Sequence, residues 1–344
     1  MSHSAPGTAQ LQTHDPHTDD VRLPAGAVNV ADVIDGSSLG PLQAATFAIC
    51  LACLIMDGFD VQALGYVAPA LVRDWNIRSA ALGPVFGAGN FGVLLGALGF
   101  SVLADRIGRR PVLIIATLFF SGMTLLTAGA GTIQHLLALR LVSGIGLGGI
   151  IPNATALVGE YSPRRSRVTL TMAITVGFTA GAAIGGFVAA ALIPAFGWRS
   201  VFYFGGVVPL VITLAMIGWL PESLQFMVIH GAPRDRIRRW LAQIDPSMPA
   251  GDVEFTVDEE KLQGAPVAHL FRGGRAAMTL LFWIVNFMNL LNLYSLASWL
   301  PTVVRDAGHS TSTAVLAGTV LQVGGTIGTF GLAWLVARGG FIPT

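Results

Sequence analysis

The sequence predicts an all-α membrane protein, a bundle of eight spanning helices, and three observations carry that expectation. Of 344 residues, 53% are hydrophobic and only 11% charged, against about 25% charged in an ordinary soluble domain. The apolar residues fall into blocks of about 18 to 25, the length that crosses a bilayer as a helix. The 42 glycines suit helices that pack closely in lipid. The net charge is +1, with arginines dispersed among loops, which offers no surface for nucleic acid.

Residues 1–40 are polar and hold Pro, Gly, Asp and three histidines, His3, His14 and His17. They lack a basic segment followed by an apolar stretch, so they are not a signal peptide, and a disordered cytoplasmic tail is expected. Six spans follow, at 43–68, 80–103, 111–131, 135–158, 168–193 and 200–220. They make an N-terminal six-helix bundle over 41–220. Residues 221–275 form a central cytoplasmic loop. Spans 276–300 and 312–337 lie in a second bundle, over 276–344.

Orientation follows from the positive charges. Thirteen lie after even-numbered spans: Arg106, Arg109, Arg110, Arg164, Arg165, Arg167, Arg234, Arg236, Arg238, Arg239, Lys261, Arg272 and Arg275. Four lie on the other side: Arg73, Arg78, Arg199 and Arg305. The even-numbered loops and the N-terminus are therefore expected in the cytoplasm, with the chain crossing a bacterial-type inner membrane.

An ungapped internal repeat recurs at an offset of 232 residues, from Gly92 to Gly324. Gly96, Gly99, Arg106 and Gly108 recur as Gly328, Gly331, Arg338 and Gly340, Pro69 as Pro301, and Met56 as Met288. Asp57 and Asp60 fall on Asn289 and Asn292. Such a repeat implies two parallel six-helix halves facing each other across a midplane site. On that basis the chain holds about eight of an expected twelve helices, and is expected to be a partial, C-terminally truncated form.

Asp57 and Asp60 stand in the middle of span 1. A carboxylate there costs roughly 2.5–3.5 kcal/mol on insertion scales. At i and i+3 the two share one helix face, so that face must look into protein or a polar cavity. An intramembrane acid pair marks a substrate or proton pathway. Arg140 lies about five residues, roughly 8 Å, inside the outer end of span 4 and is a candidate partner for Asp60 or for a substrate carboxylate. Asn289 and Asn292, with Asn286, could hydrogen-bond substrate or bridge helices. Phe59, Tyr66, Phe287 and Trp299 are candidates to stack on an aromatic ring.

Other patterns carry less. Cys50 and Cys53 form C-x-x-C, but no second ligand pair accompanies them and thiolates are costly in lipid, so they read as small apolar residues. GAGNFG at 87–92 and GIGLGG at 144–149 resemble dinucleotide-binding loops. A nucleotide loop needs a preceding strand and a following helix, whereas both segments lie inside spans, so small-residue helix packing explains them. His135, His230, His269 and His309 are scattered, and no loop holds a nucleophile–base–acid set or a metal-ligand cluster. No enzyme activity, metal or cofactor is expected.

The turn GALGFSVLADRIGRRPVL between spans 2 and 3 resembles the signature loop of the major facilitator superfamily. With MDGFD in span 1, RLVSGIGLGGIIPNATALVGEYSPRRSR along span 4 and LPESLQFM after span 6, the chain resembles the aromatic acid:proton symporter family over about residues 41–340. The resemblance implies that Asp57 and Asp60 take part in transport and that Asp105 and Arg109, beside Arg106 and Gly108, latch the cytoplasmic side. Arg140 and Glu160 match the residues opening and closing span 4. Ser101 stands where the signature usually has Gly, and Ala337 where its second copy often has Asp.

The expected function is a monomeric, proton-coupled symporter importing small aromatic carboxylates, with the proton as the only coupling ion. The aromatic-acid part rests on the resemblance. Rival readings are uptake of sugars or related organic acids, drug efflux, and a membrane receptor that binds without transport. LPESLQFM only partly matches the sugar-porter pattern, and GFTAGAAIGG in span 5 lacks the Gly-Pro of drug antiporters.

Overall fold

The computed structural model describes residues 27–246, 253–257, 271 and 274–339. His3, His14, His17, Lys261, His269, Arg272 and Gly340 lie outside the described residues. The long helices are α2 (Pro41–Trp75), α3 (Gly83–Ile107), α4 (Arg109–Ala128), α5 (Ile133–Gly148), α6 (Ile150–Tyr161), α7 (Arg164–Phe196), α8 (Arg199–Trp219), α11 (Ala276–Asp306) and α12 (Thr311–Gly339). Shorter elements are β1 (Ala27–Asn29), α1 (Val30–Gly36), α9 (Leu224–Ile229), α10 (Arg234–Ile244) and β2 (Glu254–Thr256). Seven helical stretches of the described residues are long and apolar enough to cross a membrane, with α5 and α6 counting as one. The 29-residue α12 occupies the expected eighth span.

Local chemistry sets the ends. Helix α2 begins on Pro41, with the Gln43 side chain accepting from the Gly40 N–H, and ends on Asn76 in the left-handed region at φ 50°. Thr132 caps α5 by accepting from the His135 N–H, which satisfies one of the orphan donors of a helix start. Pro69 and Pro301, matched by the repeat, lie inside α2 and α11 near their C-terminal ends.

The two rejected nucleotide-like segments pack on each other. A Cβ on Gly92 or Gly96 would overlap the backbone of α5 at Leu141 or Ile145, and one on Gly144 would overlap Gly89 of α3. Helix α3 lies backbone to backbone on α5, as small residues permit. Its other face, with Phe91, Leu94, Leu98 and Val102, is exposed and suits lipid.

Two apolar clusters fill the bundle. One, at the end bearing the arginine-rich turns, contains Cys50, Cys53, Leu54 and Phe120; the other contains Met56, Phe59, Tyr66 and Phe202. Both thiols are free and buried, packed as small side chains. Asp57 and Asp60 sit on α2 where the two clusters meet.

Helices α11 and α12 join the bundle away from the arginine-rich end. Ala297, Pro301 and Thr302 of α11 are buried, and the Gln62 amide donates to the Ala297 carbonyl. Thr319 of α12 seats against Gly186 of α7. Residues Leu280 to Leu296 of α11 are exposed.

The tail expectation needs correction. Within 1–40, residues 27–40 are structured. β1 pairs in parallel with β2, Ala27 to Asn29 against Glu254 to Thr256. Val30 and Ile34, one turn apart on α1, enter the same cluster as Ile237, Leu241 and Ile244 of α10. The Asp35 carboxylate accepts from the Arg164 N–H at 2.7 Å and pairs with Arg167 at 3.4 Å. The segment 221–275 likewise contains α9, α10 and β2 and is not loop throughout. A short apolar stripe at helical spacing orders the end of a segment that reads as polar when 1–40 is taken together.

Candidate functional site

Asp57 and Asp60 are both buried, at 2% and 0% exposure. Between them, Gly58 has no Cβ, and one there would strike the backbone of Phe178 on α7. The close α2–α7 contact thus requires glycine inside the acid pair.

Asp60 is fully engaged. Its Oδ2 lies 3.0 Å from Nη1 of Arg140 on α5, and its Oδ1 accepts from the Thr124 hydroxyl of α4 at 2.9 Å. Nη1 of Arg140 also lies 3.4 Å from the Asp60 carbonyl. The guanidinium stands over the Phe202 ring of α8, 4.8 Å from its centroid. Arg140 is 4% exposed, and its Nε and Nη2 have no hydrogen-bond partner in the structure; nor does Oδ2 of Asp57. Buried polar groups are nearly always paired, so the three unpaired atoms make Asp57 and Arg140 candidates to take a ligand or a proton.

A cavity of about 30 Å³ touches Arg140 and is lined also by Asn90 and Ser143, and by Tyr294 and Ser298 of α11. That is room for about one or two waters.

The structure pairs Arg140 with Asp60, one of the two partners considered for it, and Asp57 lies three residues earlier on the same helix. It does not bring Asn289 and Asn292 to them: both are exposed on α11, as is Asn286. Tyr294 and Ser298, at i and i+4, are the residues that this helix turns toward the cavity. Of the candidate aromatics, Phe59 packs on Phe204, Trp299 on Phe86, and the Tyr66 hydroxyl donates to the Ala182 carbonyl. Phe287 is exposed. Thr124 was not anticipated, although Thr117, Ser121 and Thr124 lie four and three apart on one face of α4, a polar stripe legible from spacing alone.

A second charged cluster lies at the arginine-rich end. Arg109 pairs with Glu160 at 2.7 Å. Oε1 of Glu222 accepts the backbone N–H groups of Arg109, Arg110 and Ser223 at 2.9, 3.2 and 2.8 Å. This puts an anion on the positive end of α4. Gly108, at φ 97°, turns the chain there, and a Cβ on it would meet the Glu222 carboxylate. The Tyr161 hydroxyl donates to the Glu222 carbonyl at 2.7 Å. Glu222 stands in the quoted LPESLQFM motif, yet its role depends on a partner 113 residues away in sequence. Asp105 and Arg106 are exposed and stand outside the cluster.

Residues 50–343 match the Major Facilitator Superfamily model. The chain belongs to that superfamily. The 4-hydroxybenzoate transporter PcaK of Pseudomonas putida is 40% identical over 314 residues, covering 91% of this chain and 70% of the relative. A gallate transporter of Pseudomonas putida is 39% identical over 313 residues, covering 90% and 69%. Among solved members of the superfamily, a partially occluded inward-open form of the xylose transporter XylE from E. coli superposes with a TM-score of 0.68 at 16% identity, over 88% of this chain and 74% of that one. A bacterial homologue of the lysosomal transporter Spinster gives 0.65 at 19% identity, over 89% and 64%. These superpositions show the fold. Within it the chain is a multi-pass transporter, and the Asp60–Arg140 layer lies between the two apolar clusters of its bundle.

Proposed function

We propose that the protein is a proton-coupled symporter that carries small aromatic carboxylates, of the benzoate and hydroxybenzoate type, into a bacterial cell across the inner membrane. The observation that carries this reading is Arg140, a buried cation that spends one nitrogen on Asp60 and keeps two unpaired. A guanidinium binds a carboxylate through two parallel N–H donors. The names of the relatives supply the aromatic part: they transport 4-hydroxybenzoate, gallate and benzoate.

The chemistry divides between the two acids. Asp60 balances the arginine in the empty site. Asp57, with one oxygen unpartnered, takes the proton on loading and gives it up on release. No other cofactor is needed, and a monomer suffices. The arginine-rich end faces the cytoplasm in this reading, where Arg109, Glu160 and Glu222 hold the ends of α4, α6 and α8 together, and Asp105 is free to engage the other half. Mutating Asp105 to Ala would then slow transport while leaving substrate binding intact.

The test is uptake of labelled benzoate, 4-hydroxybenzoate and a phenylpropionate, with xylose as the contrasting substrate, each with and without a protonophore. Accumulation of an aromatic acid that collapses with the protonophore supports the reading. Binding without accumulation would make the protein a receptor, and accumulation of xylose alone would assign it to sugars.

A further inference from the structure

Arg140 carries five N–H donors in a planar fork, and the ordinary way for a buried carboxylate to meet that fork is with both oxygens. Asp60 does not. Its Oδ2 takes Nη1 at 3.0 Å, while Oδ1 is directed to a different helix, where the Thr124 hydroxyl donates to it at 2.9 Å. Thr124 is wholly buried on α4. Its neighbours on the same stripe are engaged elsewhere: Thr117 with the Cys53 thiol and Ser121 with the Gly206 carbonyl. The Phe202 ring of α8 lies against the guanidinium but satisfies none of its donors. The unused donors, Nε and Nη2, are the ones a two-oxygen grip by Asp60 would draw on.

We infer that Thr124 is a positioning residue: its hydroxyl holds Asp60 in a one-oxygen pairing with Arg140 and so keeps Nε and Nη2 free for the carboxylate of an arriving substrate. Without that hydroxyl, Oδ1 is a buried acceptor with no donor, and the nearest unsatisfied donors are those of Arg140. The carboxylate turns, closes on the fork with both oxygens, and competes with substrate. The inference rests on the proposed transport of carboxylates and adds the device that keeps the receptor vacant.

The experiment measures initial uptake of labelled 4-hydroxybenzoate against concentration in cells expressing the protein, Thr124→Val or Thr124→Ser, at matched membrane levels. Thr124→Val keeps the shape and removes the donor. It should raise the half-saturating concentration about tenfold, the weight of one hydrogen bond at about 1.4 kcal/mol, with the maximal rate within about twofold. Thr124→Ser should match the parent. As a second measure, the uncharged 4-hydroxybenzamide, tested as a competitor, should inhibit parent and T124V at the same concentration, because it does not need the fork. An unchanged half-saturation in T124V, or an equal loss in T124S, would overturn the inference while the parent's uptake stands. No saturable uptake by the parent would overturn the transport reading and the inference with it. If T124V does not reach the membrane, Thr124→Cys, a weaker donor of similar size, must fall between T124S and a clear loss of affinity; parent-like affinity there also overturns the proposal.

Discussion

Arg140 reaches the Asp60 side chain through a single guanidinium nitrogen, Nη1 at 3.0 Å from Oδ2, although both side chains are buried and the guanidinium has two further nitrogens with no partner. A pair held in that way is neutral as a unit and still able to bind one more anion. Removing one member of a buried pair strands the other, at a cost of about 3–5 kcal/mol.

That cost gives the first prediction. Asp60→Asn and Arg140→Gln should each lower the unfolding temperature of the purified protein in detergent. The double variant should recover part of the loss, since neither charge is then left alone. Additive losses in the double-mutant cycle would show that the two side chains do not depend on each other.

Asp57 should behave differently. Its Oδ2 has no partner, so Asp57→Asn should change the unfolding temperature less than Asp60→Asn does. It should nevertheless abolish proton-driven accumulation, while exchange of labelled for unlabelled aromatic acid across the membrane persists. Accumulation at the parent rate would remove Asp57 from the proton pathway.

Arg140→Lys retains the charge but not the fork. The ammonium can neutralise Asp60 or hold a substrate carboxylate, but not in two-pronged fashion. The half-saturating concentration should rise at least about tenfold, with the protein still inserted and folded. Parent-like affinity in R140K would mean that the fork is not the receptor.

At the arginine-rich end, Glu222→Ala removes one oxygen that accepts three backbone N–H groups. An unpaired buried donor costs about 1–3 kcal/mol, and the loss of the anion at the start of α4 adds to it. The unfolding temperature should fall clearly, and Glu222→Gln should fall less, because the amide oxygen still accepts. Equal effects of Ala and Gln would place the contribution of Glu222 in its charge alone.

Glycine spacing offers a paired comparison within one helix. Gly92→Ala puts a Cβ against the Leu141 carbonyl, whereas Gly99→Ala meets nothing within 4 Å. G92A should lower the folded yield from membranes, and G99A should leave it unchanged or raise it, since Ala favours helix over Gly by about 0.8–1.0 kcal/mol. Similar yields for both would contradict the close α3–α5 approach.

Much of the architecture was legible from spacing. The spans, the two nucleotide-like glycine segments that are packing surfaces, and the pairing of Asp57 and Asp60 on one buried helix face all follow from where apolar, small and charged residues fall along the chain. Residues 27–40 were misread because 1–40 reads as one polar tail, and the one-turn spacing of Val30 and Ile34 is too short a signal to set them apart from it. The partners of Glu222 and Thr124 were missed for another reason: each acts on a helix far from it in sequence.

By itself, then, the sequence determined that this chain is a membrane bundle with an acid pair at mid-depth and an arginine inside span 4, because hydropathy and helical period are local properties of the chain. The tertiary structure decided which atoms meet. It turned Tyr294 and Ser298 toward the cavity and left Asn289 and Asn292 exposed, placed Thr124 on one oxygen of Asp60 and Arg140 on the other, and left two guanidinium nitrogens unused. Those outcomes depend on how each helix is rotated and how closely it approaches its neighbour. Both are set by packing between residues distant in the chain, to which no local pattern refers.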